Sequence, residues 1–130
     1  MANLDSTSKQ QAYATLLQEV ESVLKGETDT IARMANTAAM IHETFGFWWT
    51  GFYRVNSEQL VLGPFQGPLA CMRIAYGKGV CGTAWQKAQT IVVPMIRDGK
   101  VVAVLDIDST ELGTFDEIDQ QWLEKIVEKV

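Results

Sequence analysis

Apolar residues in the first part of the chain recur every three or four positions. Tyr13, Leu16, Leu17, Val20, Val23 and Leu24 mark a helix over residues 8–25, with Ser6 or Thr7 as cap and Gly26 as stop. A second helix is expected to begin at Thr28 or Asp29, to bury Ile31, Met34, Ala35, Ala38, Ile41 and Phe45, and to end at Gly46. The period then changes. Residues 47–55 are rich in aromatics and read as a strand, and a polar turn at Asn56-Ser57-Glu58 leads into another over residues 59–62. Gly63-Pro64-Phe65-Gln66-Gly67-Pro68 is expected to break regular structure, with a short strand over residues 72–76 beyond it. Gly77-Lys78-Gly79 turns into a short helix over residues 80–87. Residues 90–97 and 100–108 form the clearest hairpin, joined at Asp98-Gly99, and Pro94 makes its first strand an edge strand or a bulged one. Thr114-x-x-Glu117 is a capping-box pattern opening a helix whose Ile118, Trp122, Ile126 and Val127 face inward. Two helices, a run of mostly antiparallel strands and a closing helix predict an α+β architecture, a sheet layered against helices.

Composition narrows the function. A chain of 130 residues fits a single domain over residues 1–130, and 47% hydrophobic with 21% charged residues is an ordinary globular balance. Eleven basic against 16 acidic side chains give a net charge of −5, which argues against nucleic-acid or anionic-membrane partners. The first residues lack the apolar core of a signal peptide and no later run would span a bilayer, so the expected location is cytoplasmic. Cys71 and Cys81 are too few for a disulfide scaffold, and with a lone His42 too sparse for zinc, so no metal is expected.

Three groups of residues could carry chemistry. Cys81 follows a Gly-x-Gly turn in the first turn of an expected helix, where partial positive charge favours the thiolate, and Cys71 lies in the irregular stretch before it. Two such thiols can pass through sulfenic acid to a disulfide; the plainer reading makes each a small buried hydrophobe. Asp106 and Asp108 alternate on a strand and so share a face, with Val102 and Val104 continuing that face inward and Ala103, Leu105 and Ile107 lining the other. Paired carboxylates beyond an apolar floor suit a ligand with an ammonium group and a greasy tail, unless the strand has simply reached solvent. Trp49, Gly51 and Tyr53 also share a face, and the glycine leaves a slot for a small ligand unless the strand is only aromatic core. His42 reads as structural or exposed. The glycines at 77, 79 and 82 fit no phosphate-binding fingerprint.

In their order along the chain these segments form a recognisable set. Trp48-Trp49-Thr50-Gly51-Phe52-Tyr53, Leu62-Gly63-Pro64-Phe65-Gln66-Gly67, Ala70-Cys71, Gly79-Val80-Cys81-Gly82-Thr83-Ala84 and Val104-Leu105-Asp106-Ile107-Asp108-Ser109 resemble the free methionine-(R)-sulfoxide reductases, from about Gln11 onward. The resemblance implies a GAF-like fold, a six-stranded antiparallel sheet with helices packed against it. It implies reduction of free methionine-(R)-sulfoxide: a thiolate attacks the sulfoxide sulfur, methionine leaves, a second thiol resolves the sulfenic acid, and thioredoxin, itself NADPH-coupled, reduces the disulfide. No metal or organic cofactor is implied, and relatives suggest a homodimer. On matching positions Cys71 is the resolving cysteine and Cys81 an auxiliary pocket cysteine, Asp106 and Asp108 hold the substrate ammonium, and Trp49 and Tyr53 enclose its methyl end.

One departure stands out. The family carries a loop before the hairpin strand with a third cysteine, the usual nucleophile, and a substrate-binding glutamate at its far side. Here Gln89-Thr90-Ile91-Val92-Val93-Pro94 runs straight into Met95, as though the stretch had been excised at the 90/91 junction, and Thr90 stands about where the glutamate would be. Three readings follow: the loop belongs to the protein beyond these residues, it is deleted, or Cys81 has become the nucleophile with Cys71 resolving. The alternatives to an enzyme are a non-catalytic GAF module that binds a small amino acid, and a purely structural or dimerising domain.

Overall fold

Aspartates start the three described helices. In the computed structural model, which describes residues 5–75 and 88–130, α1 (Ser6–Leu24) is capped by Asp5, whose carboxylate accepts from Ser8 N at 2.8 Å. The expected caps Ser6 and Thr7 instead lie inside the first turn. Asp29 caps α2 (Thr30–Phe45) through Ala32 N at 2.9 Å, and Gly46 ends it. For α3 (Glu117–Lys129) the capping box is built by Asp116 and Asp119 rather than by Thr114 and Glu117. The Thr114 hydroxyl is spent elsewhere, donating to Glu111 O at 2.8 Å and meeting Ser109 Oγ at 2.6 Å.

Five strands form one antiparallel sheet: β1 (Trp49–Asn56), β2 (Gln59–Gln66), β3 (Arg73–Ala75), β4 (Gln89–Arg97) and β5 (Lys100–Ser109), in the spatial order β3-β2-β1-β5-β4. The expectation of six strands is therefore corrected to five among the described residues. The turn and short helix expected over residues 77–87, with Cys81, fall outside them. β2 also runs on through Gly63-Pro64, where a break was expected. The β1–β2 register shifts between Gly51 and Tyr53, so the proline sits at a bulge, where a missing N–H costs no ladder bond. Among the described residues β4 is an edge strand, which tolerates Pro94 in regular register with Val104; an irregularity follows between Met95 and Ile96, where β5 carries Val102 as an extra residue. β4 passes without interruption through the 90/91 junction, with Thr90 opposite Asp108 and Ile91 opposite Ile107. The β4–β5 turn takes positive φ at both Asp98 (52°) and Gly99 (76°), matching the twist of the flanking strands.

Among the described helices α2 packs on β1 and β2 and α3 on β4, while α1 lies against α2 and α3, and their apolar side chains join one core with the inner face of the sheet. Phe52, Ala103, Leu105 and Ile107 are fully buried there, together with Tyr13, Leu16, Val20, Met34, Ala38, Ile41, Leu123 and Ile126 from the helices. Ile31, expected in the core, is 45% exposed, because α2 turns Thr37 inward and leaves Ile31 beside its exposed first turn. Arg33 fastens the helix ends: its guanidinium donates to Leu24 O (2.9 Å), Lys129 O (2.6 Å) and Val130 O (2.8 Å), satisfying terminal carbonyls of α1 and α3 from α2. None of the described helices is long and apolar enough to cross a membrane.

A polar knot lies between α1 and α3. The buried Asp119 carboxylate accepts from Lys9 Nζ (2.8 Å), Tyr13 Oη (2.5 Å) and Asp116 N (2.9 Å), so both of its oxygens have partners. Burial, reinforced by the Asp119 charge, pushes the Tyr13 hydroxyl far above its ordinary value of 10.0. The unfolded chain then ionises this tyrosine before the folded one does. Its contribution to stability is whole below about pH 10 and declines as pH rises beyond it. Tyr13→Phe is expected to cost about 1–3 kcal/mol in urea unfolding at neutral pH and to flatten the loss of stability above pH 10.

Candidate active site

Directly opposed residues of an antiparallel pair share a face, and the register of the central strands assembles one group of side chains on the side away from the helices. β1 sets Trp49 opposite Asp108, Gly51 opposite Asp106 and Tyr53 opposite Val104. β4 sets Thr90 opposite Asp108 and Val92 opposite Asp106, and β2 sets Phe65 opposite Gly51. Trp49, Tyr53, Asp106 and Asp108 thus lie together, each less than one-tenth exposed. Val102 and Val104 share this face too. It is the side away from the helical core, so Val102 points outward at 37% exposure and does not continue inward as expected.

The slot expected at Gly51 is filled by its neighbours. A side chain there would strike Phe65 Cβ and the Trp49 ring, the latter at 2.6 Å. The absent Cβ lets Trp49 lie over the strand, stacked on Phe65 with ring centroids 5.3 Å apart and planes 16° off parallel. Tyr53 also stacks on Trp49, with ring centroids 5.9 Å apart. Phe65 was not among the site residues read from sequence. Its neighbours Gly63-Pro64 suggested a loop, and only the pairing of β2 with β1 brings it onto this face.

Two side-chain donors tie the segment after β2 to these aromatics. Trp49 Nε1 donates to Pro68 O at 3.0 Å, and Tyr53 Oη donates to Cys71 O at 2.9 Å. The half-buried Cys71 is therefore anchored through its own backbone to a tyrosine of the same face as the two carboxylates. Cys81 lies outside the described residues. On the acidic side, Thr90 Oγ1 donates to Asp108 Oδ1 at 2.6 Å. His42 belongs to the helical side, where its Nδ1 lies 3.2 Å from the buried Thr50 Oγ1 and burial holds the imidazole below its usual range. The arrangement offers paired anions for a cation, a wall of stacked rings for an apolar group, and a thiol-bearing segment alongside.

Gly51→Ala is expected to force Trp49 off Phe65, lowering stability by about 1–3 kcal/mol and changing the near-ultraviolet circular dichroism of the tryptophans.

No family model matches the chain. Among curated proteins, GAF domain-containing protein A of Dictyostelium discoideum is 43% identical, the match covering 92% of this chain and 90% of that protein. The free methionine-R-sulfoxide reductase of Escherichia coli is 37% identical over 143 positions, with 92% of this chain and 87% of that protein covered. That alignment is at least 13 positions longer than the 130-residue chain, so the relative carries residues without counterpart here. Among solved structures, the free methionine-R-sulfoxide reductase of Neisseria meningitidis in complex with its substrate is 40% identical, superimposes with a TM-score of 0.87, and is matched over 99% of this chain and 92% of that one. Identity at this level over nearly the whole length of both partners shows that the chain belongs to the free methionine-R-sulfoxide reductases, oxidoreductases of the GAF fold.

Proposed function

We propose that this protein reduces free L-methionine-(R)-sulfoxide to methionine, with Asp106 and Asp108 holding the substrate ammonium and Trp49 and Tyr53 enclosing its methyl end. The observation that carries this reading is the placement of both carboxylates and both rings on one sheet face, with Cys71 bonded to that face through Tyr53. Two buried acids on the same sheet face as the aromatic side chains favour a compact cation over a bulky one. They also set an amino acid's polar end and its side chain at fixed places along the strand.

The redox step needs two thiols, and the chain has two cysteines. Cys81 attacks the sulfoxide sulfur as the thiolate; the S–O bond breaks as methionine departs, leaving oxygen on the enzyme as sulfenic acid. Cys71 displaces that oxygen as water, forming a disulfide. Thioredoxin returns both sulfurs to the thiol state by exchange, its own dithiol becoming the disulfide. The balance is one sulfoxide and two thiols in, one thioether, one disulfide and one water out. Such chemistry suits a reducing, cytoplasmic setting, with no metal or organic cofactor in the cycle.

A second reading has its own support. β4 runs straight through the 90/91 junction, with Thr90 and Ile91 on successive rungs, which favours a module that keeps the ligand face without the usual nucleophile. Thioredoxin-coupled NADPH oxidation separates the two. Turnover of the R epimer but not the S epimer is expected, with Cys71→Ser releasing about one methionine per protein and then stopping. Saturable binding of the R epimer without any methionine release would replace the enzyme with the binding module. Asp106→Asn or Asp108→Asn is expected to weaken capture of the R epimer by about 1–3 kcal/mol, measured by titration calorimetry.

A further inference from the structure

Each carboxylate of the acidic pair has two cross-strand neighbours, and the four differ sharply in chemistry. Asp106 lies between Gly51 and Val92, neither of which has a polar side-chain atom, while Asp108 lies between Trp49 and Thr90. The Trp49 indole N–H is directed to Pro68 O. Of these four, only Thr90 offers a donor to the pair, and its hydroxyl sits 2.6 Å from Asp108 Oδ1. That length marks a charge-assisted hydrogen bond.

Thr90 is exposed on the edge strand, with water at hand for its hydroxyl, whereas Asp108 is 3% exposed. A hydroxyl that exchanges water for this partner contributes little to folding but a good deal to geometry. An aspartate carboxylate turns broadly about its last torsion, while a β-branched side chain in a strand is stiff about its first. Fixing one carboxylate oxygen to Thr90 therefore fixes the plane of the other.

We infer that Thr90 is a positioning residue that sets the Asp108 carboxylate plane for an amino acid's ammonium group. This deepens the proposed function and rests on its reading of Asp108 as the ammonium anchor. The hydroxyl supplies no charge of its own and works through the neighbouring acid.

The test is calorimetric titration of L-methionine-(R)-sulfoxide and of its deaminated analogue, 4-(methylsulfinyl)butanoic acid, into wild type, Thr90→Val and Thr90→Ser. Val keeps the shape and strand preference of Thr and lacks the hydroxyl, and Ser retains it. Thr90→Val is expected to weaken the amino-acid ligand about five- to tenfold, Thr90→Ser to stay within about twofold of wild type, and the deaminated analogue to bind all three alike. Equal affinity in Thr90→Val, equal loss in Thr90→Ser, or a parallel loss for the deaminated analogue would each overturn the role of Thr90 while leaving the functional reading intact. No binding by wild type would overturn both. Thermal unfolding of Thr90→Val within a degree or two of wild type is expected, and a large drop would reassign the hydroxyl to stability.

Discussion

The alternation of β5 between its two neighbours governs everything else in this molecule. Ala103, Leu105 and Ile107 go into the helical layer with no exposed surface, and Asp106 and Asp108 necessarily go to the other side. Burying a leucine or isoleucine contributes about 1.5–3 kcal/mol each, so packing of the core on the opposite face holds the acids in register. A slip of one residue against β1 or β4 would drive two carboxylates into the helices and bring Leu105 and Ile107 out to water. The ligand face is thus positioned by packing on its opposite side.

Support for the helical layer comes from polar groups placed where apolar contact alone would leave charges stranded. Arg33 collects carbonyls from two helix ends, and Asp119 gathers Lys9, Tyr13 and the start of α3. Neither group reaches the aromatic wall of Trp49, Tyr53 and Phe65, which is held by stacking and by two hydrogen bonds to the chain after β2. The two sides of the sheet are secured by different kinds of interaction.

Much of this was legible in the sequence because it follows from periodicity. The three helices, the Asp98-Gly99 hairpin and the sharing of a face by Trp49, Gly51 and Tyr53 and by Asp106 and Asp108 need only a repeat of 3.6 or 2. What escaped depended on partners remote in sequence. Gly63-Pro64 looks like a break until β1 supplies a bulge to receive it, and Phe65 joins the aromatics only through that pairing. The cap of α3 moved from Thr114 to Asp116 because Ser109 and Glu111 engage the threonine. Val102 points outward against expectation because a strand shows two faces, and only the helices decide which is inside. The sixth strand came from resemblance rather than from pattern, and five are what the described residues form.

The place of β4 at the rim has a consequence for how this architecture tolerates change in length. A detour of the chain between Thr90 and Ile91 would leave the sheet on its open side and rejoin it one rung later, disturbing no ladder but the one with β5. Closing such an excursion grows dearer only logarithmically, by about 0.6 kcal/mol for each doubling of its size. The polypeptide can therefore take on or give up length at this seam while the remaining rungs stay in step, and the side chain next to Asp108 can be exchanged without redesign of the scaffold.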